Sequence, residues 1–135
     1  MLSRSQEQEK IMFVLYQCLF YERLNNNQPD LQEMIEETFE TPYDEVSVFA
    51  KETIVKALKN QKEIDELISA NLNKWKLERI NLVAHAIFLL ALSEYKYVEE
   101  EIEKSALINV AVTLAKKYLD EKDYKFINAV LDKVL

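Results

Sequence analysis

The chain contains no glycine in its 135 residues. Average glycine usage is about 7%, because tight hairpin turns, β-bulges and phosphate-binding loops need a residue that takes positive φ without cost. The composition therefore excludes glycine-rich nucleotide loops and favours helices joined by short connections. Helix ends must close on other residues that tolerate the left-handed conformation, and asparagine is the next best. Asparagines lie where the predicted helices end, at Asn25, Asn26, Asn27, Asn60, Asn71 and Asn73.

Two segments are apolar on nearly every side of a helix. The first runs from Ile11 to Tyr21 with one polar residue, and the second extends from Leu77 to Leu92 and is densest over Leu82 to Leu92. A helix without a polar face must be covered on all sides, so we expect the first and fifth helices inside one core. The run from 82 to 92 is about half of the roughly 20 residues that span a bilayer, and no membrane segment is predicted.

Five further helices each carry one apolar stripe, with spacings of three and four residues. Pro29 marks the start of the second helix, and Thr41 with Pro42 marks its end. The stripes lie within residues 31–39, 46–58, 64–72, 107–118 and 127–134, the last a short seventh helix. No strand alternation occurs. The predicted fold class is all-α, a compact bundle of about seven helices, and we expect residues 1–135 to form a single domain.

Charge is distributed unevenly along the chain. The net charge is −7, which argues against indiscriminate binding to nucleic acid, because phosphate contacts need clustered cations. Residues 26–103 hold eight basic against seventeen acidic residues, whereas residues 104–135 hold six against four, and residues 1–25 are neutral. An anionic ligand should therefore prefer the two ends of the chain.

Residues for catalysis or metal binding are scarce. The single histidine, His85, falls within the buried fifth helix, and the single cysteine, Cys18, falls within the first, so both are interpreted as core. One histidine with one cysteine cannot build a typical zinc tetrahedron, and the acidic connector at 99–103 is interpreted as solvated surface. We expect no enzyme activity, no metal and no cofactor. The lone cysteine and the polar first ten residues favour the cytoplasm.

The start of the last helix combines an aromatic with a basic residue. Phe126 is offset by one from the apolar stripe and is flanked by Tyr124 and Lys125. An exposed aromatic beside a lysine can stack an unpaired base and neutralise a phosphate, as proteins that bind single-stranded RNA do. Simple packing of Phe126 at a helix start is equally compatible with the periodicity.

Several blocks, read in order, resemble one known family. They are Leu15-Tyr16-Gln17, the run from Trp75 to Ile80, Ser93-Glu94-Tyr95, Ile108-Asn109 followed by Ala115-Lys116-Lys117, and the run from Lys125 to Asp132. The last two blocks are the specific ones, since their spacing is similar to the carboxy-terminal signature of the NusB family. The resemblance covers nearly the whole chain.

The resemblance implies a seven-helix fold of two three-helix sub-bundles that share the first helix. It also implies a transcription antitermination factor that binds boxA-type, single-stranded RNA together with the ribosomal protein NusE, within the RNA polymerase antitermination complex. Family RNA contacts correspond here to Lys125 and Phe126 and to a basic amino terminus, of which Arg4 and Lys10 remain. Tyr16 and Glu78 match positions at or near the NusE surface, although both are also compatible with structural roles.

A second interpretation remains open. The acidic net charge and the thinned amino-terminal cluster would also suit a protein interaction module that keeps the fold and has weak or no RNA binding, in ribosome assembly or in a transcription complex. A stand-alone relative of the domain attached to ribosomal RNA methyltransferases is a related alternative, but the chain has no glycine motif for a cofactor.

Overall fold

A computed structural model of the chain describes residues 1–72, 76–98 and 101–135, which form seven α-helices and no strand. The helices are α1 (Arg4–Leu24), α2 (Leu31–Phe39), α3 (Val48–Lys59), α4 (Gln61–Ser69), α5 (Leu82–Ser93), α6 (Lys104–Tyr118) and α7 (Glu121–Val134). Short 3-10 turns lie at Tyr43–Glu45 and Leu77–Arg79, and a π-helical turn at Glu94–Val98 continues α5. The predicted all-α class and helix number are confirmed.

The helix ends follow local capping chemistry. The Ser3 hydroxyl accepts the Gln6 N–H while the Gln6 side chain accepts the Ser3 N–H, a capping box that begins α1. Asn25 closes α1 in the left-handed conformation, at φ 56°, as predicted. Asn60 ends α3 and begins α4, which confirms its predicted place at a helix end, but its φ is −105° and not left-handed. Glu40, at the end of α2, takes the second positive φ in the described ranges. Asn73 lies outside the described residues.

The helix α5 forms the centre of the core. Every residue from 84 to 93 is buried, which confirms the prediction for the fifth helix. The helix is shorter than predicted at its start, since the Asn81 side chain accepts the Val83 N–H and caps the helix there. Leu77 therefore belongs to the preceding turn. At the other end of the chain, α7 is 14 residues long and not short.

The helix α1 is buried on most but not all sides. It contacts α2 and α3 of the amino-terminal half and α5 of the carboxy-terminal half, and α5 in turn packs on α6 and α7. The prediction that α1 is covered all round is wrong for one face, where Phe13 and Tyr16 are half-buried and Phe20 is 42% exposed. The composition of a helix does not reveal how many neighbours surround it.

Some features of the sequence analysis lie outside the described residues. These are Trp75 in one of the family-like blocks and Glu99 and Glu100 in the acidic connector. Among the helices described, none has both the length and the apolarity needed to cross a membrane.

Candidate functional site

Phe126 lies in the second turn of α7, between core and surface. Its ring meets the fully buried ring of Phe88 edge to face, with centroids 6.1 Å apart. The side chain is half-buried, and its remaining surface lines a groove. The ring therefore packs on the core and also lines the molecular surface.

This groove, called here the Phe126 groove, lies between the first half of α7 and the residues that lead into α5. It has a volume of about 290 Å³. Its polar lining consists of Arg79, Asn81, Asp120, Lys122 and Asp123. It therefore combines an aromatic ring with two cations and two carboxylates.

The two carboxylates of the Phe126 groove lie at the start of α7. Asp120 is the N-cap, and its Oδ1 accepts the Asp123 N–H at 3.1 Å. Burial raises the pKa of Asp123, and the neighbouring Asp120 carboxylate raises it further. The groove is thus close to electrically balanced at neutral pH and becomes more cationic as Asp123 takes up a proton.

Lys125 does not share this groove with Phe126. Consecutive residues of an α-helix point about 100° apart, and Lys125 lines a second groove, between α6 and α7. Its side chain is 68% exposed, and its Nζ lies 2.7 Å from Glu121 Oε1 one turn earlier. Lys125 and Phe126 therefore lie on different flanks of α7.

The second groove, called here the α6–α7 groove, has a volume of about 320 Å³. Its polar lining consists of Ser105, Asn109, Lys116, Tyr124, Lys125 and Asn128. The Lys116 Nζ lies 5.2 Å from the centroid of the Tyr124 ring. No carboxylate is among the lining residues.

Arg4 and Lys10, the two cations expected at the amino terminus, make contacts within the protein. The guanidinium carbon of Arg4 lies 3.6 Å from the centroid of the Phe49 ring in α3. Lys10 Nζ donates to the Thr38 carbonyl at the end of α2, at 3.1 Å. Neither lines the Phe126 groove or the α6–α7 groove.

A polar cluster connects the start of α1 with the end of α6. The Glu9 carboxylate accepts hydrogen bonds from Lys117 Nζ, at 2.7 Å, and from the Tyr118 hydroxyl. Burial raises the pKa of Glu9, but these two hydrogen bonds and the charge of Lys117 outweigh it and hold the pKa below its ordinary value. The first half of α1 thus lies next to the α6 end that leads into α7.

The two positions expected at the partner surface lie on one side of the molecule. Tyr16 is half-buried, and its ring stacks near Phe20, with centroids 6.4 Å apart and planes 19° apart. Glu78 is exposed and lines a groove of about 420 Å³ together with Leu19 and Arg23 of α1. Because Leu19 and Arg23 follow Tyr16 by three and seven residues, they share its helix face.

Carboxylates dominate this side. The groove beside Glu78, called here the α1–α4 groove, is also lined by Glu22 and Asp65. The same two residues line a wider, open groove of about 810 Å³ with Glu66. Basic groups would therefore complement these two grooves.

His85 and Cys18 are buried, as predicted. His85 is 6% exposed, and its Nε2 lies 2.7 Å from Asp65 Oδ1 of α4. Cys18 is 5% exposed, and burial together with the nearby Glu22 carboxylate raises its pKa to about 11. In the part of the chain that the structure describes, no group of three or more His, Cys, Asp or Glu side chains could hold a metal ion.

Four residues at these surfaces had no site role predicted from the sequence, although Lys116 and Lys117 belong to one of the family-like blocks. Lys116, Lys117 and Tyr118 end α6, and Phe20 is the most exposed aromatic of α1. A Lys-Lys-Tyr run in the last turn of a helix is a usable signal, because cations collect there and an adjacent tyrosine is often partly exposed. The exposure of Phe20 left no signal in the periodicity.

Comparison with known proteins identifies the family. The NusB family model matches residues 5–135. A transcription antitermination protein NusB from Clostridium botulinum is 36% identical over 144 aligned positions, which cover 99% of this chain and 100% of the relative. A transcription antitermination protein NusB from Bacillus cereus is 42% identical over 91 positions, which cover 67% of this chain and 69% of that protein.

Solved structures share the fold. T. maritima NusB superposes with a TM-score of 0.84 at 30% identity and covers 98% of this chain and 90% of its own. The structure of antitermination factors NusB and NusE in complex with dsRNA contains a similar chain, with a TM-score of 0.76 at 25% identity and coverage of 97% and 94%. These matches extend over almost the full length, and the chain belongs to the NusB family.

Proposed function

We propose that this chain is a transcription antitermination factor that binds boxA-type RNA together with the ribosomal protein NusE. It acts in the cytoplasm as one domain over residues 1–135 and catalyses no reaction. The observation that carries the proposal is the full-length similarity to a NusB chain solved in complex with NusE and dsRNA. The relatives named for transcription antitermination support the same conclusion.

The RNA surface centres on the first half of α7. Phe126 offers part of its ring to an unpaired base, while Lys122 and Arg79 in the same groove offer charge to the adjoining phosphates. Lys125 extends the surface to the other flank of α7. Its ion pair with Glu121 is exposed and worth only about 0.3–0.5 kcal/mol, so a phosphate can displace it.

Arg4 and Lys10 belong to the proposed RNA surface at its edge. Both already hold contacts within the protein, so an RNA contact there must be added to those contacts or replace them. We therefore expect the amino terminus to contribute less than α7 to RNA affinity.

The partner surface is the side that carries Tyr16, Phe20 and Glu78. Exposed aromatic surface on α1 adjoins the carboxylates of the α1–α4 groove, which together suit a partner with an apolar contact and basic neighbours. In this mechanism the RNA contacts of the two proteins add to the affinity of one complex. A preassembled pair presents both RNA-binding surfaces to one strand, so each surface raises the affinity of the complex although neither binds tightly alone.

The test is a salt titration of boxA-type RNA binding, with and without NusE. We expect weak, salt-sensitive binding by the protein alone and at least tenfold tighter binding by the pair. Phe126→Leu and Lys122→Gln should weaken RNA binding by the protein alone and by the pair. Lys59 is an exposed lysine on α3, and Lys59→Gln should weaken neither. Absence of RNA binding in both conditions would reject the proposal.

One specific observation favours the interaction-module alternative. The amino-terminal cations are committed to Phe49 and Thr38, and the carboxylates of the Phe126 groove offset its cations. This alternative predicts a NusE complex of ordinary affinity that does not bind RNA better than NusE alone. Tyr16→Asp should disrupt that complex under either function, so it controls for the partner surface.

A further inference from the structure

The α6–α7 groove differs from the other three grooves described above because no carboxylate lines it. The Phe126 groove, the α1–α4 groove and the wide groove beside it are all lined by two or more carboxylates. The ionised side chains that line the α6–α7 groove are Lys116 and Lys125 alone. In a chain of net charge −7, the groove therefore has a cationic lining, with the Glu121 carboxylate beside it at 2.7 Å from Lys125 Nζ.

The two lysines reach the groove from different helices. Lys116 is in the last turn of α6, and its Nζ lies over the ring of Tyr124, at 5.2 Å from the centroid. Lys125 reaches the groove from α7. Both lysine side chains are exposed. The ion pair of Lys125 with Glu121 is exposed as well, so a phosphate can replace that carboxylate without leaving a buried charge unpaired.

Two side-chain amides lie in the same groove. Asn109 of α6 and Asn128 of α7 are both exposed, and neither amide has a hydrogen-bond partner among the residues that the structure describes. A carboxamide offers one acceptor and two donor hydrogens, the set that pairs with the edge of a nucleobase. The groove volume of about 320 Å³ is at the lower end of the range for small-ligand sites, which suits one nucleotide.

We propose that the α6–α7 groove binds one nucleotide of the same RNA strand that reaches Phe126. Lys116 and Lys125 contact its phosphates, and Asn109 and Asn128 read its base. The strand crosses α7, about one helix diameter, between the two grooves. The occupant is single-stranded, since a paired base cannot enter a groove between two helices. This inference rests on the proposed RNA-binding function and deepens it.

Equilibrium binding of boxA-type RNA at several salt concentrations tests the groove. We expect Lys116→Gln to weaken binding by about 3- to 10-fold and to lower the slope of log affinity against log salt by about 0.7, the value for one phosphate contact on a single strand. Asn128→Ala should weaken binding at least about fivefold without changing that slope. Lys59→Gln is the matched control, since Lys59 is also an exposed lysine in the last turn of a helix.

A second measurement follows the amides directly. In NMR spectra of the 15.9 kDa chain, the side-chain amide signals of Asn109 and Asn128 should shift when RNA is added. An RNA shortened so that it reaches Phe126 but not the α6–α7 groove should leave these amide signals unshifted. Lys116→Gln and the unsubstituted chain should bind this shorter RNA with the same affinity. The same spectra verify that each variant is folded.

The outcomes separate this inference from the proposed function. Binding that is lost in Phe126→Leu but unchanged in Lys116→Gln and Asn128→Ala would overturn the groove and leave the function standing. An equal loss of RNA affinity in Lys59→Gln would overturn the groove too, because the loss would then reflect the net charge of the chain and not the position of the lysine. Amide shifts caused by NusE and not by RNA would make the groove a protein contact. If the unsubstituted chain binds no RNA, with or without NusE, the proposed function itself fails.

Discussion

The ring of Phe126 stands edge to face against the ring of Phe88, with 78° between their planes. Phe88 is fully buried at the centre of α5, so the rigid core fixes the orientation of Phe126. The remaining ring surface lines the groove with Lys122 and Arg79. A base that stacks there meets a ring held in place, which lowers the entropic cost of binding.

This double role predicts different results for two substitutions of Phe126. Phe126→Leu keeps most of the apolar volume and should cost less than about 1.5 kcal/mol of stability, while removing a stacking surface worth about 1–3 kcal/mol per base. RNA affinity should fall by about 5- to 150-fold while the folded state is retained. Phe126→Ala should lose both the stability that the ring contributes and the stacking surface. Urea unfolding and RNA titration measure the two effects separately, and unchanged RNA affinity in the leucine variant would exclude stacking.

Asp123 is predicted to oppose RNA binding. Its carboxylate lies in the Phe126 groove, so Asp123→Asn should tighten RNA binding by about two- to fivefold at neutral pH. Because the pKa of Asp123 is raised, the unsubstituted chain takes up this proton sooner than an ordinary aspartate as the pH falls. The advantage of the variant should therefore shrink towards acid pH. Asp44→Asn, an exposed carboxylate in another part of the chain, should give no gain at any pH.

Much of the fold could be predicted from periodicity, because the spacing of apolar residues along a helix indicates which of its faces are buried. The second apolar segment has no polar face, and residues 84–93 are indeed all buried. The predicted start of α5 is too early, because Leu77 and Ile80 extend the apolar pattern, whereas the bond from the Val83 N–H to the Asn81 side chain marks where the helix begins. The exposure of Phe20 was missed because it depends on how many helices surround α1, which is a tertiary property.

The candidate site was less predictable, since its parts are distant in sequence. Tyr118 donates to Glu9 across 109 residues, and Lys116 lies over the ring of Tyr124 on the next helix. Periodicity within one helix cannot reveal such pairs. Conversely, Lys125 and Phe126 are adjacent in sequence yet line different grooves, because one residue of helix turns the side chain by about 100°.

Asp65 is predicted to stabilise the fold by satisfying buried His85. Asp65→Ala leaves Nε2 of a side chain that is 8% exposed without this partner, which should cost about 1–3 kcal/mol of unfolding free energy. Asp65→Asn keeps an acceptor oxygen at the same place and should cost less. Urea denaturation of the two variants measures the difference. If both lose the same amount, the charge of Asp65 matters and the hydrogen bond does not.

Cys18 is predicted to be unreactive in the folded chain. With a pKa near 11, only about one thiol in a thousand is ionised at pH 8, and the side chain is also shielded from solvent. A thiol reagent such as DTNB should label no cysteine in buffer and one per chain in concentrated urea. The labelling rate at low urea then reports how often the core opens. Labelling in buffer at the rate of a peptide cysteine would show that α1 is not packed as described.

Glu9 is predicted to link α1 to α6 in a pH-dependent way. Its pKa in the folded chain lies below the ordinary value of 4.5, so its contribution to stability is complete above pH 4.5 and is lost as the pH falls through the lowered value. Glu9→Gln should therefore lower the melting temperature at pH 7, by about 1–3 °C as for an exposed pair, and by progressively less below pH 4.5. Tyr118→Phe, which keeps the ring contact with Phe13, tests the hydroxyl alone. If the difference in melting temperature between Glu9→Gln and the unsubstituted chain instead stays constant down to pH 3, the charge of the Glu9 carboxylate does not contribute to stability.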